Sequence, residues 1–230
     1  MKLLGLIGGM SWESTMEYYK IINELVKQKL GSWNSAKLLL YSVNFEQIYT
    51  LQQQNKWNEI AEIFIKISKK LEEAGCSAIL ICSNTAHKIA HKIMSEIDIP
   101  LIHVVDETAK AIKISKINTV GLLGTKFTME GEFYVKMLEG KYGLQVIVPD
   151  YEQRGYIDNA IFNEFAQGTF LDTTKAKFLE IVTSLNKRGA QGIILGCTEI
   201  PLLIHQNDVE LPLFDTLNIH LKAAVKFILE

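Results

Sequence analysis

The chain has 230 residues, 48% hydrophobic and 22% charged, with a formal net charge of −2 at pH 7. That composition supplies one large globular core or two small ones and excludes a disordered tail. Without a basic excess, nucleic acid is excluded as an expected partner, and no apolar run approaches the roughly 18 residues of a membrane span.

In chain order, the opening "KLLGLIG" (2 to 8) reads as a strand running into a glycine pair. Its apolar run is too short and too interrupted for a signal peptide, so a cytoplasmic location is expected. "TMEYYKIINELVKQKL" follows with apolar residues three and four apart, the spacing of an amphipathic helix. "AKLLLYSV" (36 to 43) predicts a second strand, "NEIAEIFIKISKKLEEAG" a helix stopping at Gly75, and "SAILICS" (77 to 83) a third strand. The remaining strand candidates are "LIHVV" (101 to 105), "TVGLLG" (119 to 124), "LQVIVP" (144 to 149), "GIILGC" (192 to 197) and "LPLFDT" (211 to 216). Strand and helix alternate, the pattern of βα units around parallel sheets.

The two halves of the sequence repeat one another. "GLIGGMSWESTMEYY" (5 to 19) aligns with "GLLGTKFTMEGEFY" (121 to 134) at an offset of 116 residues, Gly5 to Gly121. "AGCSAILICSNT" (74 to 85) aligns with "RGAQGIILGCTE" (188 to 199) at 114, and "IPLIHVVD" with "LPLFDTLN" at 112. The expected fold is therefore α/β: two similar doubly wound parallel-sheet domains related by a pseudo-twofold, residues 1–100 with 211–230 forming one and 101–210 the other. Ligands bind beyond the carboxyl ends of such strands, so an active site is expected in a cleft between the halves.

Three cysteines, Cys76, Cys82 and Cys197, without a CxxC pair, give no disulfide framework and no zinc signature. The repeat makes Ser83, not Cys82, the counterpart of Cys197. Adjacent strand residues face opposite ways, so Cys82 and Cys76 are read as small buried hydrophobes. Cys197 ends a buried strand after Gly196, where its thiol is expected to be exposed and acidified by nearby backbone N–H groups. Two proton-handling groups in equivalent positions, Ser83 and Cys197, suit a reaction that removes a proton from one face of a carbon and returns one to the other. Asn84, Thr85, Thr125, Thr128 and Thr198 supply neutral donors for a carboxylate and for the charge that develops as the proton leaves.

With "GLIGGMSWEST", "CSNTAHK", "LLGTKFTME" and "LGCTEI" in place, the sequence resembles the aspartate/glutamate racemase family of cofactor-independent amino-acid racemases over essentially its whole length. The resemblance implies a small-molecule amino-acid substrate, no pyridoxal phosphate or other cofactor, and a homodimer. It implies that Ser83 and Cys197 hold the places of a catalytic cysteine pair, and that Met10, Ser11 and Gln52 line the substrate site. An alcohol is far harder to deprotonate than a thiol, so Cys197 is the principal base and Ser83 a donor or water-holder. Family behaviour puts Cys197 on the L-enantiomer and L-to-D turnover ahead in kcat. The two kcat/KM values must still match, because enantiomers have equal free energies in water. Two alternatives stay open: a single-cysteine carbanion enzyme of the arylmalonate decarboxylase type, and a catalytically silent amino-acid-binding protein.

Other candidates carry less. The glycines after the first strand lack the GxGxxG spacing of a dinucleotide site. His87 and His91 lie four apart without the glutamate of a metalloprotease helix, so packing or capping is expected and no metal. His103, His205 and His220 show no clustering in sequence. Glu199 is read as orienting or desolvating Cys197, or as pairing with an amide. The segment 151 to 168 carries Arg154, a candidate cation for a substrate carboxylate, and Gln167 stands where the resemblance implies a lysine in aspartate-selective relatives.

Overall fold

The computed structural model describes all 230 residues, and they pack as two units. The first is Met1–His103 with His220–Glu230, the second Val104–Ile219.

In the first unit, β1 (Leu4–Gly8) is an apolar run buried along its whole length. It is the centre of a parallel three-stranded sheet of order β2-β1-β3, with β2 at Leu38–Ser42 and β3 at Ala78–Ile81. Helix α1 (Trp12–Leu30) begins where the Ser11 hydroxyl accepts the Ser14 N–H, and it buries Tyr18, Ile22 and Val26 at four-residue spacing. Short α2 (Phe45–Gln53) precedes α3 (Trp57–Glu73), whose buried Ile60, Phe64, Ile67 and Leu71 form one apolar stripe. A 3₁₀ turn at Thr85–Ile89 and α4 (Ala90–Met94) follow β3. Each fully buried Leu or Ile stabilises the unit by about 1.5–3 kcal/mol.

The second unit opens with α5 (Val104–Ile114), then β4 (Thr119–Leu123), α6 (Lys126–Met129), α7 (Glu132–Lys136) and β5 (Gln145–Ile147). It continues with α8 (Tyr151–Asn163), α9 (Asp172–Lys187), β6 (Ile193–Leu195), α10 (Ile200–Leu203) and β7 (Leu213–Asp215). The sheet is parallel, of order β5-β4-β6-β7. The last helix, α11 (Thr216–Leu229), starts in this unit and ends in the first.

The sequence repeat reappears as identical strand register. Gly5 on β1 faces Ile79 on β3, and Gly121 on β4 faces Ile193 on β6, the pairs the alignment equates. Both glycines sit at close approaches between strand and packed side chains. A Cβ at Gly5 would lie 3.1 Å from the Ile79 and Leu71 methyls, and one at Gly121 2.7 Å from Ile193 Cδ1 and 2.9 Å from Leu185 Cδ1.

The third repeat explains the one strand that fails. Leu101 bridges Ile79 just as Leu213 pairs with Ile193. Yet "LIHVV" stops at that single bridge, because Val104 and Val105 enter α5 and bury themselves in the core of the second unit. Tertiary burial overrides the β-propensity of the valines. The expected boundary at residue 211 also shifts. β7 is bonded to β6, so 211–219 belong to the second unit, and only His220–Glu230 return to the first.

Candidate active site

Cys197 lies two residues beyond the end of β6, followed by α10 with Pro201 in its first turn. Gly196 brings the chain close to the neighbouring strand: its N–H donates to Leu123 O at 2.6 Å, and a Cβ there would sit 2.7 Å from the same oxygen. The Cys197 thiol donates to Glu199 Oε2 at 2.9 Å, and the Thr198 hydroxyl donates to the same oxygen at 2.6 Å. Both donors converge on one carboxylate oxygen.

The expected exposed, acidified thiol is corrected by these surroundings. Cys197 is only 8% exposed, and burial, followed by the Glu199 charge and hydrogen bond, pushes the thiol well above its ordinary range. Backbone bonds act in the expected downward direction but are outweighed. The resting group is a thiol hydrogen-bonded to Glu199. Cys82 is fully buried, with its thiol pushed far up by burial, and Cys76 is buried as well.

Ser83 occupies the equivalent place in the first unit, two residues beyond the end of β3. Its hydroxyl oxygen accepts the Ala86 N–H at 3.4 Å, and its carbonyl accepts His87 Nδ1–H at 2.7 Å. Asn84 is buried and Thr85 begins the 3₁₀ turn. Met10 and Ser11 are buried at the turn after β1, where Gly9 has φ +92 and donates its N–H to Thr15 Oγ1 at 2.7 Å. Gln52, on α2, is buried rather than solvated.

In the second unit Thr125 caps α6, accepting the Thr128 N–H at 3.3 Å, and the two hydroxyls meet at 3.2 Å. Thr128 is fully enclosed. Arg154 is engaged locally: its Nε donates to Glu130 Oε1 and its guanidinium to Pro149 O, each at 2.8 Å.

The histidines hold what sequence order hid. His91 is exposed whereas His87 is buried. The imidazole of His87, however, packs against His103 at 4.7 Å and against His220 at 5.5 Å between ring centroids. His220 Nε2–H donates to Ile102 O at 2.7 Å, which leaves Nδ1 to accept the Tyr18 hydroxyl at 3.1 Å. No group of three or more His, Cys, Asp or Glu is arranged to hold a metal ion.

Burial, with the nearby His87 charge second, lowers His220 to about 3, against a partly opposing bond to Ile102. Below pH 6.5 the unfolded chain takes up a proton that folded His220 refuses. Its contribution to stability is thus complete above that pH and is lost as pH falls toward 3, by up to about 1.4 kcal/mol per pH unit. Urea unfolding at pH 7 and at pH 5 should show wild type losing about 2 kcal/mol more than His220→Gln. Equal losses would remove His220 as the source.

Comparison with known proteins adds an independent line. The sequence profile of the Asp/Glu/Hydantoin racemase family matches residues 7–224. The chain is 25% identical over 217 residues to the broad-specificity amino-acid racemase RacX of Bacillus subtilis (strain 168), spanning 93% of this chain and 92% of that one. A solved structure from Yersinia pestis, provisionally described as an Asp/Glu racemase, is 43% identical with a TM-score of 0.95 and full coverage of both chains. An aspartate racemase homologue from Pyrococcus horikoshii is 35% identical with a TM-score of 0.88, again with full coverage of both.

Proposed function

The chain belongs to the Asp/Glu/Hydantoin racemase family, and from that premise we propose that it racemises an amino acid of the aspartate/glutamate class by proton transfer at Cα. The observation that carries this is the thiol of Cys197 donating to the Glu199 carboxylate just beyond a strand end.

In this reading the Cys197 proton passes to Glu199 Oε2, and the thiolate takes the α-proton of the L-enantiomer. A thiol held above its ordinary range is slow to ionise but yields a stronger base once it does, which suits a weakly acidic C–H bond. The negative charge that spreads onto the substrate carboxylate meets hydroxyl and amide donors of Ser11, Asn84, Thr85, Thr125 and Thr198. Met10 and Gln52 complete the substrate contacts, and Thr128 supports Thr125. A water held by Ser83 returns a proton to the other face of the carbanion; the hydroxide left takes a proton from solvent while Glu199 releases the one it accepted, and Cys197 keeps the α-proton as its thiol, which restores the site. The reading needs no pyridoxal phosphate. It extends to a cytoplasmic homodimer, supported by the exposed apolar Trp12, Met16 and Tyr19 on α1.

Circular dichroism of L-aspartate and L-glutamate incubated with the protein tests the proposal. Decay of the signal for either amino acid, confirmed by chiral chromatography, is the expected result. Ser83 in place of a second cysteine keeps one rival: carbon dioxide release from an arylmalonate, with no loss of amino-acid signal, would replace racemisation by a decarboxylase.

A further inference from the structure

Ser83 sits at the end of β3, where strand pairing no longer fixes the chain, since the β1–β3 ladder ends at Ile7 and Ile81. Its peptide orientation decides where the hydroxyl points, and a proton donor displaced by even 1 Å loses most of its effectiveness. The last sheet bond before it is Cys82 N–H to Ile7 O, and the Ser83 carbonyl beyond it is held by a side chain. His87 Nδ1 lies 2.7 Å from the Ser83 carbonyl, which has no proton to offer, so Nδ1 carries it. The Ser83 hydroxyl accepts the Ala86 N–H, leaving its own O–H free to donate elsewhere.

The His87 ring is in turn fixed by two others. His103 and His220, which pack against it, are the residues at which the chain leaves the first unit and re-enters it. These two crossings are bonded together by His220 Nε2–H donating to Ile102 O, and His220 is anchored to α1 by Tyr18. All four side chains of this cluster are less than a tenth exposed.

We propose that His87 is the positioning residue for Ser83, with His103, His220 and Tyr18 as the buried brace that ties the Ser83 carbonyl to both chain crossings. The proposal rests on the racemase reading above, with Ser83 as the group that completes inversion.

The test is a partition ratio. Incubated with L-aspartate or L-glutamate in deuterium oxide, the protein forms a carbanion that either recovers deuterium on the same face or is inverted. The ratio of α-deuterated L-enantiomer to D-enantiomer reports how well the Ser83 side competes. His87→Phe, which keeps a ring but removes the donor, is expected to raise that ratio on the order of tenfold. His87→Asn, whose amide N–H can replace Nδ1–H, should bring it back to within about threefold of wild type.

A general loss of stability would lower both products together and leave the ratio unchanged; that result would overturn the proposal. Nitrogen-15 NMR of the wild-type histidines covers the case of a variant that does not fold. A protonated Nδ1 on His87 with an Nε2–H tautomer on His220 is expected, and a bare Nδ1 on His87 would overturn the assignment. If the wild type exchanges neither amino acid, the racemase reading falls by itself, and the NMR result alone decides whether His87 holds the Ser83 carbonyl.

Discussion

Replacing Cys197 with serine is expected to lower α-proton exchange from an L-amino acid by about three orders of magnitude, the middle of the range for losing a general base. The change is nearly isosteric, and the new hydroxyl retains a donor for Glu199 Oε2, now accepting the thiol at 2.9 Å. Fold and site shape should persist. What disappears is basicity available at neutral pH: an aliphatic alcohol beside a carboxylate does not ionise, whereas a thiol hands its proton across the same contact. Loss of the α-proton resonance in deuterium oxide, followed by NMR, measures the rate, and an unchanged melting temperature confirms folding. Exchange within tenfold of wild type would remove Cys197 from the reaction.

Glu199→Gln is expected to separate two quantities that usually move together. The Glu199 charge and hydrogen bond both raise the Cys197 thiol, after burial. Removing the charge should make the thiol easier to ionise and speed its alkylation by iodoacetamide at pH 8. Turnover should nonetheless fall by roughly two orders of magnitude, because the acceptor for the thiol proton is gone. Faster alkylation with slower racemisation is the signature of a proton relay. If instead alkylation and racemisation both accelerate, Glu199 only restrains the thiol and the relay is wrong.

Much of the architecture was legible because a strand buried on both faces reads as a bare apolar run. The duplicated runs around Gly5 and Gly121 carried their own register, and both glycines occupy close approaches that a side chain would obstruct. The equivalence of Ser83 with Cys197 followed from the same alignment. "LIHVV" misled because its valines look like strand residues in isolation, while their burial is against the helix-covered core of the second unit.

In the candidate site, residue types were readable and environments were not. "LGCTEI" left open whether Glu199 acts on the thiol or pairs with an amide; the fold shows that burial and Glu199 prevail over the backbone donors. Gln52 was placed in the site only by the family resemblance, and its burial on α2 could not be read from the segment itself. The histidine cluster was invisible for a simpler reason. His87, His103 and His220 are brought together by the return of α11 to the first unit, and local spacing carries no trace of a contact made across more than a hundred residues.

That return has a bearing on how the molecule is born. The second unit is continuous, so all of it has been synthesised once Ile219 is added, whereas the first still lacks His220–Glu230. Synthesis therefore runs against the usual amino-terminal-first order of domain completion: the unit begun first is completed second, when His220 arrives to meet Tyr18 and to bond Ile102.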